Sequence, residues 1–488
     1  MTTIWLICSS RNSFAALPAT LVWEARTTGA TTGGGAFASD GSGTDFSQQD
    51  AAQRSWLSAG GTYTNDLSCT NAAPSVCTSA SYNFAAADVG NVINLTAGTS
   101  VTAGRYHIAS VATNAATLDR NAMTAAGAAD ASGYEGGAVD HPNTISTIVI
   151  ASNTVYIQNG TYVKVGANTY ILACTIDNIT WIGYITNHST IPTGTDRPVF
   201  DGDSDNNGTD DTADCIVVQT GMDDNLFKNL ILKNGTTSAF NQNINTSEAM
   251  LVNVLMTSSV DGVGGLENIA LFNCEIDNNT DAGRDGGGNR NDELYYTYVH
   301  DNANEGFHSV SNASIIVSYY SIYDSNAGMG LGSADTGYIE GLIGNIFYNN
   351  TGASSDGVFW NGGSSPNYNS FMHNNSSIDN GRYGFNRGAT TDSYPSAFFD
   401  YNNYNGNGTA GLNNLTAGVN DNTTNPVFTG EATGDFTLST GSDTALLGLG
   451  FPQTATNGLT GDYNVNIGVD QSKAAGAGGC SDAFGVIQ

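Results

Sequence analysis

The chain is predicted to be an all-β protein, a right-handed parallel β-helix (solenoid) with a β-rich entry module before it and a closing cap after it. Three observations predict this. A loose hexapeptide, Asn/x-x-x-apolar-Asp/Asn-Asn/Ser/Gly, recurs at a near-constant spacing. Its apolar runs are too short for helices, and no helical 3.6-residue pattern of useful length accompanies them. A Gly follows the motif at a short interval in most copies, usually just before an apolar residue.

The copies read NLILKN at Asn229, NVLMTS at Asn253, NCEIDN at Asn273, TYVHDN at Thr297, YSIYDS at Tyr320, NIFYNN at Asn345, NSSIDN at Asn375 and YNNYNG at Tyr401. The steps are 24, 20, 24, 23, 25, 30 and 26 residues, a mean near 24.6. The following glycines are Gly262, Gly283, Gly306, Gly328, Gly357, Gly384 and Gly411. A unit of two or three short strands cannot bury its apolar face alone. Stacking coils about 4.8 Å apart pairs each strand with its neighbours and aligns side chains in columns. On this register the fourth position forms the column Leu232, Met256, Ile276, His300, Tyr323, Tyr348, Ile378 and Tyr404. The Asn residues at the first position are expected to form a side-chain amide ladder. A leucine-rich repeat needs a regular Leu frame, and a propeller needs a blade of about 40 residues; neither is present.

The chain divides into an arm (1–20), a Gly-, Ala- and Thr-rich entry module (21–145), the solenoid (146–425) and a closing coil with its cap and tail (426–488). The entry module carries strand-like runs such as VINLTA at Val92 and YHIASVA at Tyr106. A solenoid leaves an open strand edge at each end, so both flanks are expected to act as caps.

With 45 acidic and 14 basic residues the net charge is -31, which argues against nucleic acid as a partner. No 18-residue apolar stretch exists, so no membrane insertion is expected. The opening apolar run is brief and is read as an arm rather than a signal peptide. Of seven cysteines, none forms a CxxC pair, so zinc has no support. Cys69 and Cys77 flank a short polar segment that they can bridge. Cys174, Cys215 and Cys274 lie in apolar runs and are expected to be buried thiols.

The segment VWEARTTGATTGGGAFASDGSGTDFSQQDAAQ from Val22 resembles the start of pectate-lyase-like right-handed parallel β-helix proteins. The ending NPVFTGEATGDFTLSTGSDTALLGLG from Asn425, followed by DYNVNIGVDQ from Asp462, is similar to their closing coil and cap. The resemblance spans about residues 22–471. It implies the fold, but the fold hosts lyases, hydrolases, epimerases, adhesins and phage tailspikes. The opening also looks like phage-encoded β-helix proteins, which are commonly trimeric. The family's hydrolase motifs, an Asp-Asp pair followed by HG and RxK, are absent.

Two segments carry candidate chemistry. DSDNNGTDDTAD matches a calcium-loop pattern with Asp in place of the last Glu, so Asp203, Asp205, Asn207, Thr209, Asp211 and Asp214 are candidate Ca2+ ligands around Gly208. The second segment runs from Asp285 to His308. By hexapeptide register Asp277, Asp301, Asp324 and Asp379 share a column, where neighbouring carboxylates raise each other's pKa or hold a cation. Asp277, Asp301, Asp324, Glu305 and His308 are the candidate catalytic residues. Tyr295, Tyr296, Tyr319, Tyr320 and Tyr323 are candidate sugar-stacking aromatics, set against a packing role.

The expected function is a virion-associated receptor-binding protein, a phage tailspike or head decoration that engages surface glycans. The alternatives are a secreted polysaccharide lyase or glycoside hydrolase and a cell-surface adhesin. The expected location is the virion or the extracellular space. A homotrimer is expected, joined through a tyrosine stripe at Tyr320, Tyr323, Tyr348 and Tyr404, with virion proteins as further partners.

Overall fold

The computed structural model describes residues 21–38, 52, 54–56, 66–125, 129–205, 207, 211–242, 248–265, 268–286, 291–309, 315–333, 338–352, 354–360, 371–388 and 398–438. The chain forms two compact units, one to Val155 and one from Tyr156.

The first unit contains a feature the sequence did not suggest, a closed antiparallel barrel. Its strands pair in the order Ala129–Glu135, Leu67–Cys69, Val76–Ser79, Ala115–Leu118, Gly104–Ala112 and Val92–Ala97, and the last pairs back onto the first. Closure removes the strand edges that a six-stranded sheet would otherwise expose. The interior holds Leu67, Phe84, Ile93, Leu95, Tyr106, Ile108 and Leu118, with Trp56 packed among them. Cys69 and Cys77 lie opposite each other on paired strands and form a disulfide.

The second unit is the parallel β-helix. Each coil contributes one strand to each of three parallel sheets. The first sheet includes Glu248–Val252, Asn268–Phe272, Asn291–Tyr295 and Ile315–Tyr319. The second includes Leu255–Thr257, Glu275–Asp277, Tyr298–His300, Ile322–Asp324 and Ile346–Tyr348. The third includes Asp261–Gly265, Arg284–Gly286, Phe307–Ser309 and Leu331–Ser333. Cys174, Cys215 and Cys274 are buried free thiols.

The hexapeptide is the first corner plus the second-sheet strand, but three of its eight copies sit one residue out of register. The corner residue is left-handed in every coil from Asn229 to Tyr401. It is Asn229, Asn253, Asn273, Tyr296, Tyr320, Gly344, Asn374 and Tyr401. The copies placed at Thr297, Asn345 and Asn375 therefore begin one residue late. The true inward column is Leu232, Met256, Ile276, Val299, Tyr323, Phe347, Ser377 and Tyr404. His300, Tyr348 and Ile378 do not belong to it. Asn favours the left-handed corner because its short side chain tolerates positive φ, so Asn229, Asn253 and Asn273 are corner residues, of which Asn253 donates its side-chain amide to Asn229 Oδ1 at 2.9 Å as a ladder would.

The interior ladder lies at the second corner. Asn279, Asn302, Asn326, Asn350, Asn380 and Asn407 each pass a side-chain amide bond to the next, at 2.8–2.9 Å. A shorter ladder of Asn345, Asn375 and Asn402 runs inside the first corner. A glycine column lies beside the long ladder and explains the recurring Gly. A Cβ on Gly306 would stand 2.5 Å from the Gly330 carbonyl oxygen and 2.8 Å from the Asn326 amide nitrogen. The column member in the following coil is Gly330, which abuts Gly357 in the same way, and not Gly328.

Candidate functional site

The outer face of the second sheet carries a continuous column in register: Asp201, Lys233, Thr257, Asp277, His300, Asp324 and Tyr348. It alternates with a second outward column that includes Leu255, Glu275, Tyr298, Ile322 and Ile346. The register places Asp277, His300 and Asp324 on three successive coils. Asp301 and Asp379 do not share this column. Both are left-handed residues at the second corner, one position beyond it, because the copies that suggested the alignment were out of step.

His300 is the hub. Its Nδ1 lies 2.8 Å from Asp301 Oδ2 and its Nε2 3.3 Å from Glu275 Oε1. Its ring stacks on Tyr298 at 3.9 Å. Burial disfavours the imidazolium, but the bonds to Glu275 and Asp301 outweigh it and hold the His300 pKa above its ordinary value. An imidazolium donates from both nitrogens, which suits two carboxylate partners. His300 in turn holds Glu275 below the usual carboxylate range, against the effect of burial.

Asp324 is nearly covered. It accepts from Ser325 Oγ at 2.7 Å and from the Tyr298 hydroxyl at 3.1 Å. Burial pushes its pKa up to about 6. Burial also raises Asp277, while the Thr257 hydroxyl and His300 pull it back. Glu275, Asp277 and His300 each place a potential ligand atom within 4.8 Å of the others. With both ring nitrogens of His300 facing carboxylates, proton transfer is the better match to this geometry than metal ligation.

A C-terminal hairpin forms one wall of this site. Its strands Phe428–Gly430 and Asp435–Leu438 pair antiparallel. Phe428 and Phe436 pack on Ile322 and Ile346, with Tyr298 and Tyr348 at the margin. The described part of the segment expected to cap the solenoid covers its flank, where outward-facing Ile322 and Ile346 need apolar cover.

Glu305 and His308 are separated from this face by the second corner. His308 points outward from the third sheet, in register with Asp285 and Gly332. Near them Asp261 is pushed up to about 7, first by burial and then by Asp281, Asp285 and Glu305. The five candidate catalytic residues thus lie on two faces and a corner. Arg284 and Asp292 turn inward and are fully buried.

Asp203, Asp205 and Asp211 bring carboxylate oxygens within 4.8 Å of one another. The Asn207 backbone N–H donates to both Asp203 and Asp205. Asp214 is not in this group. It lies in the strand Thr212–Val218, accepts from Asn241 at 3.1 Å and is raised to about 6 by burial. Thr209 and Gly208 fall outside the described residues. Among the described residues, calcium, expected from the spacing, would meet the three clustered carboxylates of Asp203, Asp205 and Asp211.

The tyrosines do not form one stripe. Tyr323 is buried inside the coil, Tyr348 lies under the hairpin, and Tyr404 packs on Phe385 and Phe399. Tyr320 is at the first corner, stacked on Tyr296 at 5.3 Å, and Tyr295 stacks on Phe272 at 4.6 Å. Each of these stacks engages one ring face, while Tyr296 and Tyr320 remain exposed at the corner. The trimer expectation loses one of its motivations, the single tyrosine stripe.

Among the described residues no helix is long and apolar enough to cross a membrane. No family model matches the sequence. No curated protein matches it either. Solved structures do show a likeness. The periplasmic alginate epimerase AlgG is 10% identical, with 56% of this chain and 71% of that chain covered at a TM-score of 0.28. A rhamnogalacturonan lyase is 12% identical, with coverage of 58% and 83% at a TM-score of 0.31. The A-module of the Azotobacter vinelandii mannuronan C-5 epimerase AlgE6 is 14% identical, with coverage of 56% and 89% at a TM-score of 0.27. At these identities no residue role carries over.

Proposed function

We propose that the protein is a secreted polysaccharide-acting β-helix enzyme that hydrolyses a neutral glycan on the outer face of the second sheet. One observation carries this reading: Asp277 and Asp324 stand in register on either side of His300, and Asp324 has a pKa raised to about 6. A carboxyl group that keeps its proton toward neutral pH serves as a general acid, and an ionised partner serves as a base for water. Two coil steps separate their backbones by roughly 10 Å. That separation is close to the spacing of an inverting pair and well beyond a retaining one. Asp324 is the acid, Asp277 the base, and His300 a positioning residue fixed by Glu275 and Asp301.

Charge favours a neutral substrate. The chain carries -31, and the described cations of this face are already engaged. Lys233 pairs with Asp201 at 2.7 Å, and Arg197 donates to the carbonyls of Gly194 and Asn253. Elimination on a uronate is favoured by a positive group, a side chain or a bound cation, that neutralises the substrate carboxylate. The Cys69–Cys77 disulfide supports an oxidising, extracellular setting.

The test is incubation of the full chain with a panel of linear polysaccharides, reading new reducing ends and ultraviolet-absorbing unsaturated ends. Hydrolysis of a neutral glycan that disappears in Asp324→Asn is expected, with inversion at the anomeric carbon by NMR. Unsaturated products would replace hydrolysis by elimination. Full activity in both Asp324→Asn and Asp277→Asn would remove the site.

A further inference from the structure

We infer that the hydrolase acts on chain ends, because the C-terminal hairpin covers one end of the face that carries the catalytic pair. The inference rests on the hydrolytic reading of the Asp277–Asp324 column and adds the mode of attack. A polymer lying along a solenoid runs parallel to the coil stack, across successive strands of one sheet. On the outer face of the second sheet the two directions from the catalytic pair differ.

Toward the C-terminal coils the path is blocked. Ile322 and Ile346 face outward yet have no exposure, because Phe428 and Phe436 seal them. The ring of Phe436 meets Tyr298, Tyr348 and Phe428 at 6.5, 5.4 and 5.2 Å, all near edge-to-face. Tyr348, the next member of the catalytic column after Asp324, is part of this aromatic plug. At the hairpin tip Gly434 adopts φ +74, and a Cβ there would stand 3.2 Å from the Tyr298 hydroxyl. That hydroxyl bonds Asp324, so the wall begins directly beside the proposed acid.

Toward the N-terminal coils the face is open among the described residues. The Glu275 side chain is 44% exposed and that of Lys233 34%. The floor continues through Thr257 and Lys233 in register. A glycan thus extends over several coils on one side of the scissile bond and ends against the hairpin on the other. The released product is short.

The wild-type protein and Phe436→Ser are compared on a neutral polysaccharide that the protein cleaves, with product sizes read at the first few per cent of conversion. Val419→Ser, at a 97% exposed position, is the control. Wild type and control should release only small sugars while the polymer keeps its length and viscosity. Loosening the plug should add internal cuts, so that mid-length oligomers appear and viscosity falls several-fold faster per bond broken. Long oligomers from wild type at the outset would overturn end-directed action while leaving hydrolysis standing. Unchanged end release by Phe436→Ser, with faster proteolysis around residues 426–438 confirming a loosened hairpin, would overturn the role of the hairpin. If Phe436→Ser does not fold, the wild-type size distribution decides. Absence of cleavage on every glycan overturns the hydrolytic reading and this one with it.

Discussion

Arg284 and Asp292 form an ion pair inside the coil stack, with Nη2 2.9 Å from Oδ1 and both side chains at zero exposure. Arg284 takes a place in the inward column of the third sheet, between Val263 and Phe307. Asp292 takes one on the first sheet, between Ile269 and Ile316. The Arg284 guanidinium also lies over the Phe307 ring at 5.4 Å. The pair crosses the core where its strand neighbours are apolar, and the two charges neutralise each other.

Removing one partner leaves the other charge buried, which costs about 3–5 kcal/mol, whereas replacing both with apolar groups is often neutral or better. Arg284→Met should therefore lower stability by that amount in urea unfolding. Arg284→Met combined with Asp292→Leu should recover most of the loss. A double variant as unstable as the single would mean that the pair is needed for more than charge balance.

The amide ladder gives a second expectation. Asn326 donates to Asn350 Oδ1 and to the Val299 carbonyl, and its own Oδ1 accepts from Asn302. Asn326→Leu strands polar groups in two neighbouring coils, each worth about 1–3 kcal/mol when left unpaired. Melting should drop by several degrees, well beyond the effect of Asn304→Ala at an exposed position. Equal melting temperatures for the two variants would show the ladder to be dispensable.

The solenoid was legible because stacking forces a period, and a period survives loose matching. The exact register was not, because the corner accepts Asn, Tyr or Gly, so a motif anchored on Asn slips by one where Tyr296 or Gly344 replaces it. That slip moved His300 from the outer face to the core and put Asp301 beside Asp277. The burial of Arg284 and Asp292 leaves no mark in the sequence, since charge usually means solvent. The barrel and the hairpin wall left no periodic signal at all, because both depend on contacts between segments far apart in the chain.

Stability should peak in mild acid. Asp214, Asp261 and Asp324 are raised by burial to about 6, 7 and 6. Burial and nearby Asp88 also raise Glu135 in the barrel. Each binds its proton more tightly folded than unfolded, so its contribution is complete below the ordinary carboxylate pKa and is lost as pH rises through the folded value. His300, also raised, acts in the same direction. Glu275 is lowered and opposes them, losing its contribution as pH falls below its ordinary range. Melting temperature at constant ionic strength should therefore be higher near pH 5 than near pH 8. Asp214→Asn with Asp261→Asn should flatten the slope, and a wild-type maximum near pH 8 would contradict these burial effects.

Activity should follow the same titrations with a different shape. If Asp324 is the acid, kcat/KM falls as pH rises through about 6, where it loses its proton. The acid-side limb belongs to Asp277, whose pKa lies above the ordinary carboxylate value, so the optimum is narrow and below neutrality. Asp324→Asn should cut kcat by about 10²–10⁴-fold and abolish the alkaline limb. Glu275→Gln is the more discriminating variant. The Glu275 carboxylate lies beside Asp277 and helps raise it, so the acid limb should also move down, but the main loss is one of the two partners that keep His300 charged. His300 should then lose its proton at lower pH, and its ring should be held by Asp301 alone. NMR titration of the His300 ring should report that downward shift, with kcat reduced and the Asp324 limb still present. An unchanged His300 titration with unchanged kcat would mean that Glu275 only decorates the face, and that the His300 hub does not position the acid–base pair.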